Sequence, residues 1–401
     1  MMKRIFVIAS AVLVIALLAG WGVGCKASPA ATEQGPIKIG FIGPLTGFAS
    51  ADGLLMQANF DMAVKLINEK GGIIGGRKIE TSYYDDQASS AEAVKVTTKA
   101  IVNDKVKAIV GYWEATCGIA GKDVCKKYLL PLDVAISGPI QIVTEGYHGC
   151  IQTGAAPYAL FALPDIYWME KNNIKTVSIL GEDVEFAHEV VNSLHKRWDV
   201  SGSPVKILEE VWHPAGKSDL TGEVTKLISH NPEAIVVESY TAPSTMAASK
   251  ALHDLGYSGL RYQEQIARLP MLAALGDNAE GSVTGVFFTE DPTIPANEEY
   301  CRLFRQNAPA SLVGDVCQVG SLTYDGTMIL LLSMDKAGTD SDNEKIWAAE
   351  QNLDYTTCSG DKAKFSPEGR LLEPRGFMVQ IKGGKVVVID QYPIQPADFY
   401  K

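Results

Sequence analysis

The sequence predicts an α/β protein built as two lobes, each a doubly wound parallel sheet. Short apolar runs alternate with helix-length amphipathic stretches from Ile37 onward. That alternation implies βαβ crossovers, and hence parallel strands. The units are too numerous for one compact sheet. The chain has 401 residues, 46% of them apolar, which is enough for large packed cores and too long for one typical domain.

Each element has its own signal. Ile37–Ile42 is an apolar run punctuated by Gly40 and Gly43, as a buried strand is. A helical pattern then runs through Leu55, Met56, Phe60, Ala63, Leu66 and Ile67, with Lys70 in its last turn and Gly71-Gly72 ending it. A strand over Lys78–Tyr84 precedes Asp85-Asp86, and Ser89 with Glu92 has capping-box spacing for the next helix. Val106–Val110 and Pro131–Ile136 read as strands around a helix following Thr116. The pattern repeats with strands at Thr176–Leu180, Val205–Val211 and Ala234–Val237, and helices at Ala187–Trp198, Leu220–Ile228 and Ser244–Leu255.

The N-terminus sets the compartment. Lys3-Arg4 precedes an uncharged apolar run from Ile5 to Gly20, too short for a comfortable membrane span and suited to a signal-peptide core. Gly22, Gly24 and Cys25 follow, so the segment resembles a bacterial lipoprotein signal over 1–24 with lipidation at Cys25. Residues 25–35 read as a flexible tether. The formal net charge of −11 disfavours nucleic-acid binding. Six further cysteines suit an oxidising compartment. One bridge is expected among Cys117, Cys125 and Cys150, and another between Cys301 and Cys317; buried free thiols are the alternative. No cysteine or histidine spacing suggests a metal site, and no cofactor is called for.

Ligands of open α/β sheets bind beyond the carboxyl ends of the strands. Such positions hold Trp113, Glu114, Ala115 and Thr116 after one strand, Ser137 after another, and Phe186, Tyr240 and Glu264 in the second half. Amides at a helix start suit a carboxylate, and aromatics supply flat apolar walls. Singly, a post-strand aromatic is more often packing and a post-strand acid a helix cap; their convergence is what points to a ligand. Gly71–Gly76 lacks the ending of a phosphate loop, His188-Glu189 lacks a second histidine, and no GxSxG elbow occurs. Nothing assembles a nucleophile, base and orienting acid, so an enzyme is not expected.

Ile37–Gly47, Ile67–Ile73 followed by Tyr84-Asp85-Asp86, and then Val110-Gly111, Ala279-Glu280-Gly281, Tyr324-Asp325-Gly326 and Phe365–Arg370 form an ordered series of short motifs. In that series the chain resembles the branched-chain amino-acid-binding proteins of ABC importers. The resemblance implies the type I periplasmic binding fold: lobes of 36–154 plus 290–360 and of 155–289 plus 361–401, joined by three crossovers and closing on ligand like a hinged clamp. It also implies that loops matching Glu114-Ala115-Thr116 and Ala135-Ile136-Ser137 hold a ligand carboxylate. Glu264 and Tyr240 would meet an ammonium group, Phe186 would form a lid, and Asp52 would line the side-chain pocket. Ala115 stands where amino-acid binders commonly carry serine, and Asp52, Glu114 and Glu264 together favour a cationic ligand. The partners so implied are a small solute and a membrane permease, with the membrane reached only through the lipid. A binding protein for an aromatic acid, an amide or a cationic solute is the alternative to an amino-acid binder; a sensing module for a receptor and an exported hydrolase are the other classes in view, and the last would need a catalytic cluster.

Overall fold

The structure, a computed structural model, describes residues 35–154, 158–372 and 375–394. The expected signal segment, Cys25 and all of the tether but Gly35 lie outside the described residues. From Pro36 onward the chain packs as one unit.

The first half runs β1 (Ile37–Gly43), α1 (Ser50–Glu69), β2 (Ile79–Asp85), α2 (Ser90–Val102), β3 (Ala108–Gly111), α3 (Ala115–Tyr128), β4 (Leu132–Val134), α4 (Gln141–Thr144) and β5 (Cys150–Gln152). Its five strands lie in the order β2-β1-β3-β4-β5, all parallel. The pattern has a simple cause. Ile37, Ile39, Phe41 and Ile42 of β1 are wholly buried, while α1 buries Met56, Phe60, Ala63, Val64 and Ile67 at helical spacing against that sheet. Helix α1 starts earlier than its apolar stripe because Gly53 lets it close on the end of β1; a Cβ there would stand 2.0 Å from the Pro44 carbonyl oxygen.

Ser89 is the N-cap of α2, but its side chain makes no capping bond. Asp86 holds the turn instead: the Ala88 amide donates to its Oδ1 at 2.9 Å and the Ser89 amide to its carbonyl at 2.8 Å. The capping box is therefore not formed.

The second half runs α5 (Ala162–Lys171), β6 (Thr176–Glu182), α6 (Glu185–Trp198), β7 (Lys206–His213), α7 (Thr221–Ile228), β8 (Ala234–Glu238), α8 (Ala242–Asp254), β9 (Leu260–Gln263), α9 (Leu269–Leu275) and β10 (Val283–Val286). After it come α10 (Pro295–Asn307), α11 (Gln318–Ala337), α12 (Asn343–Gln351), β11 (Arg375–Lys382) and β12 (Lys385–Pro393). The second sheet has the order β12-β11-β10-β9-β8-β6-β7. It is mixed, because β11 and β12 are antiparallel to their neighbours. Helix α11 returns to the first lobe, where Met328, Leu330, Leu331 and Met334 share a core with Ile37, Phe60 and Val110. The chain thus passes between the sheets after β5, after β10 and again after α12.

The expected disulfides are not formed. Cys117, Cys125 and Cys150 are buried free thiols in one apolar cluster, and Cys301, Cys317 and Cys358 are free in another. They act as small core residues with weak donors: the Cys301 thiol donates to Asn297 Oδ1 at 3.4 Å and that of Cys358 to Asp325 Oδ1 at 3.2 Å. Burial pushes the Cys301 and Cys317 thiols up to about 12, which leaves little thiolate to oxidise. Unfolding without reductant should therefore expose all six to a thiol reagent, and dithiothreitol should leave the melting temperature unmoved. A fall in melting temperature on reduction would restore the bridges.

Candidate functional site

A cleft of about 420 Å³ lies where strands of both sheets end. Phe48 comes from the loop after β1, and Trp113 and Glu114 from the loop after β3; Phe186 follows β6 and Tyr240 follows β8. Strands that stop beside one another leave turns and helix starts unpaired, which is why functional side chains collect there. The turn after β3 needs its glycine, because a Cβ on Gly111 would stand 2.3 Å from the Ile42 carbonyl oxygen.

The cleft walls are rings. Trp113 and Tyr240 lie 5.2 Å apart between centroids, as do Tyr240 and Phe186, while Phe48 meets Trp113 edge-on at 6.1 Å. Phe161 continues the series behind Phe186 at 5.0 Å, and Phe287 lies 5.1 Å beyond it. The column therefore joins the lobes through the Trp113–Tyr240 contact. Each pair at such spacing adds about 0.5–1.5 kcal/mol beyond its buried area.

The charges of the cleft are acidic. Glu114 Oε2 accepts from the Thr116 amide and hydroxyl, both at 2.6 Å, and from the Cys117 amide at 3.2 Å, so it caps α3. Glu182, behind the opposite wall, accepts from the amides of Tyr240 (2.6 Å), Thr241 (2.8 Å) and Gly216 (2.9 Å) and from the Ser244 hydroxyl (2.7 Å). Burial alone would raise the Glu182 carboxyl; bonds from Thr241, Gly216 and Ser244 hold it below the usual range. Exposed Glu185 also lines the cleft, its carboxyl raised by burial and by the neighbouring charges of Glu114 and Glu189. No lysine, arginine or histidine is among the described residues lining it.

Of the residues expected from sequence, Trp113, Glu114, Ala115, Phe186 and Tyr240 meet in this cleft. Thr116 is exposed and engaged with Glu114. Ala135 and Ser137 are turned into the first lobe. The Ala135 amide donates to the Gly111 carbonyl at 2.5 Å, the Ser137 amide to that of Tyr112 at 2.9 Å, and the Ser137 hydroxyl to that of Ala115 at 3.3 Å. Gly118 makes this possible, since a Cβ there would stand 2.3 Å from Ser137 Oγ. Asp52 lines a smaller cavity beside the aromatic column and is already paired. The Trp113 indole donates to its Oδ2 at 3.0 Å, and Arg268 Nη1 lies 2.6 Å from its Oδ1. Arg268 also reaches Asp315 at 2.7 Å, so a guanidinium of the second lobe clasps two carboxylates of the first.

Glu264 lies outside the lining of the main cleft. It is buried in the second lobe with Asp165 and Glu238, where burial pushes all three carboxyls up, that of Glu264 to about 8. Sequence reasoning missed Phe48, Glu182, Glu185 and Arg268. Glu182 alone carried a signal there, as an acid ending a buried strand.

No group of three or more histidines, cysteines or acids suited to a metal occurs among the described residues, and none of their helices is long and apolar enough to cross a membrane. The profile of the periplasmic binding protein family matches residues 36–385. The chain belongs to that family. Periplasmic binding proteins of this kind are solute-binding proteins of ABC transporters, not enzymes, and act in the periplasm or outside the cell. The chain is 24% identical over 331 residues to the leucine-, isoleucine-, valine-, threonine- and alanine-binding protein of Pseudomonas aeruginosa, covering 81% of this chain and 84% of that one. The structure is similar to a leucine-binding protein of Thermotoga maritima, with a TM-score of 0.76, 21% identity and 90% and 99% of the two chains covered. It is equally similar to a solute-binding protein of Rhodopseudomonas palustris in complex with p-hydroxybenzoic acid, with a TM-score of 0.79, 17% identity and 90% and 98% covered.

Proposed function

We propose that this periplasmic binding protein captures a small amine-bearing solute, an amino acid or a relative of one, and delivers it to a membrane permease. The observation that carries the reading is the ring-walled cleft, to which both lobes contribute. In this reading 36–154 with 290–360 closes on 155–289 with 361–401, and Trp113, Glu114, Ala115, Phe186 and Tyr240 touch the solute. Asp52 and Thr116 support that shell, with Ala135, Ser137 and Glu264 behind it. A lipid on Cys25 would hold the protein at the membrane.

Closure follows from the division of the walls, since contacts from both lobes are satisfied only when the clamp is shut. Purified protein should release a small solute on denaturation, identifiable by mass spectrometry. Adding that solute back to stripped protein should reduce the radius of gyration. An unchanged radius with binding proved by calorimetry would remove the clamp. A second reading, an aromatic acid, draws support from the ring walls and from the p-hydroxybenzoic acid complex of the relative. The identity of the released solute separates the two.

A further inference from the structure

We infer that the cleft selects a small organic cation, an alkylammonium compound, and has no seat for a free carboxylate. This rests on the solute-binding reading above and narrows its amine-bearing solute to one without a carboxylate, in place of an amino acid.

Three observations converge. The first is that each natural anion position already has a carboxylate of the chain in it or beside it. Three helices of more than three turns start at this cleft, α3, α6 and α8. A helix start attracts an anion through its unpaired amides and its dipole. At α3 that place is taken by the Glu114 carboxylate, and around the start of α8 by the Glu182 carboxylate. At α6 no side chain caps the amides, but the first turn carries the Glu185 carboxylate. A ligand carboxylate at any of the three would displace an internal one or face it. The Ala135 amide and the Ser137 amide and hydroxyl are also spent on carbonyls of their own lobe.

The second observation is the absence of a counter-charge. No cationic side chain is among the described residues lining the cleft. The guanidinium of Arg268, on the far side of the column, is committed to Asp52 and Asp315.

The third is what the cleft offers in return. Phe48, Trp113, Phe186 and Tyr240 present ring faces and edges in one small space. Ring faces attract cations, most strongly when water is excluded, and a methylated ammonium group is their favoured guest. Glu114 on one lobe and Glu185 on the other line the same space, so closing the empty clamp brings like charges together. The mutual repulsion is felt in the raised Glu185 carboxyl, after the effect of burial itself. A cation between the two acids turns that repulsion into attraction and ties closure to the charge of the guest.

Calorimetry on the full chain, freed of solute by denaturation and refolding, tests this with five probes. They are tetramethylammonium, choline, 3,3-dimethyl-1-butanol (the neutral isostere of choline), leucine and 4-hydroxybenzoate. Choline or tetramethylammonium should bind at least about tenfold more tightly than the neutral alcohol, as expected for a desolvated cation–ring contact. Both carboxylates should bind more weakly than either cation. Glu185→Gln, at an exposed position, should weaken choline severalfold and leave the alcohol unchanged. Glu114→Ser keeps a good helix cap while removing the charge, and should weaken choline and strengthen leucine. If the alcohol matches choline, or if leucine or 4-hydroxybenzoate binds more tightly than both cations, the charge selection is wrong and the solute-binding reading stands. If no probe binds and the denatured protein releases no solute, the solute-binding reading itself fails. The charge of a released solute decides in the same way: a cation supports the inference and an anion overturns it.

Discussion

Arg268→Met is expected to loosen the clamp and lower stability, with a larger radius of gyration and a melting temperature reduced by several degrees. Arg268 pairs with Asp52 and Asp315 across the lobes, with side chains 21%, 15% and 8% exposed. Burial alone would weaken its hold on the proton, and the adjacent carboxylates more than reverse that effect. Methionine keeps most of the length and leaves two carboxylates facing each other without a cation. Removing one partner from such a buried group costs about 3–5 kcal/mol, toward the lower end here because the guanidinium is partly wet. The loss falls on the closed arrangement first, since the pairs span the lobes. Arg268→Lys should fall between wild type and Arg268→Met, because an ammonium keeps the charge and loses the fork that reaches both acids. Wild-type radius and melting temperature in Arg268→Met would show that the clasp contributes nothing.

Glu264→Gln should make the protein more stable than wild type at pH 8 and no more stable near pH 4. Asp165, Glu238 and Glu264 are buried together, and burial raises all three carboxyls, that of Glu264 to about 8. A carboxyl with a raised folded value binds its proton more tightly in the fold than in the unfolded chain. Its contribution is therefore complete below the unfolded value, about 4.3 for a glutamate. It is lost progressively as pH climbs toward the folded value, at about 1.4 kcal/mol per pH unit for each proton involved. Glutamine carries no such proton, so the gap between variant and wild type should widen between about pH 5 and pH 8. Parallel stability curves over that range would mean that Glu264 is not held protonated.

Much of this was readable from the residues, and the exceptions share a cause. The alternation of β1 to β4 with their helices follows from local periodicity, because each stripe faces its own sheet. The post-strand aromatics Trp113, Phe186 and Tyr240 were readable because a strand end is a local event. What the sequence could not show was direction. Ser137 follows a strand as expected, yet it points inward because Gly118, on another element, leaves room for it. Arg268 carries no local signal, since Asp52 and Asp315 are remote in sequence. Glu264 follows β9, but it is buried in the second lobe beside Asp165 and Glu238, both remote in sequence, and not in the main cleft. The β11–β12 hairpin has a local sign: Gly383-Gly384, both at positive φ, stand between apolar runs. The thiols stay free: compartment and even number say nothing about whether two cysteines meet.

The path of the chain has a consequence for how the protein is made. The first sheet is complete by Gln152, yet part of the core that covers it comes from α11, and the second sheet waits for β11 and β12 near the end. Neither lobe can complete the cover of its sheet until most of the polypeptide is free to fold. Folding is therefore governed by late, long-range closures, which are slow because loop entropy must be lost before the contacts form. During that interval apolar strands such as Ile37–Gly43 are only partly covered, so this chain should depend on holding factors more than a protein whose lobes are continuous in sequence.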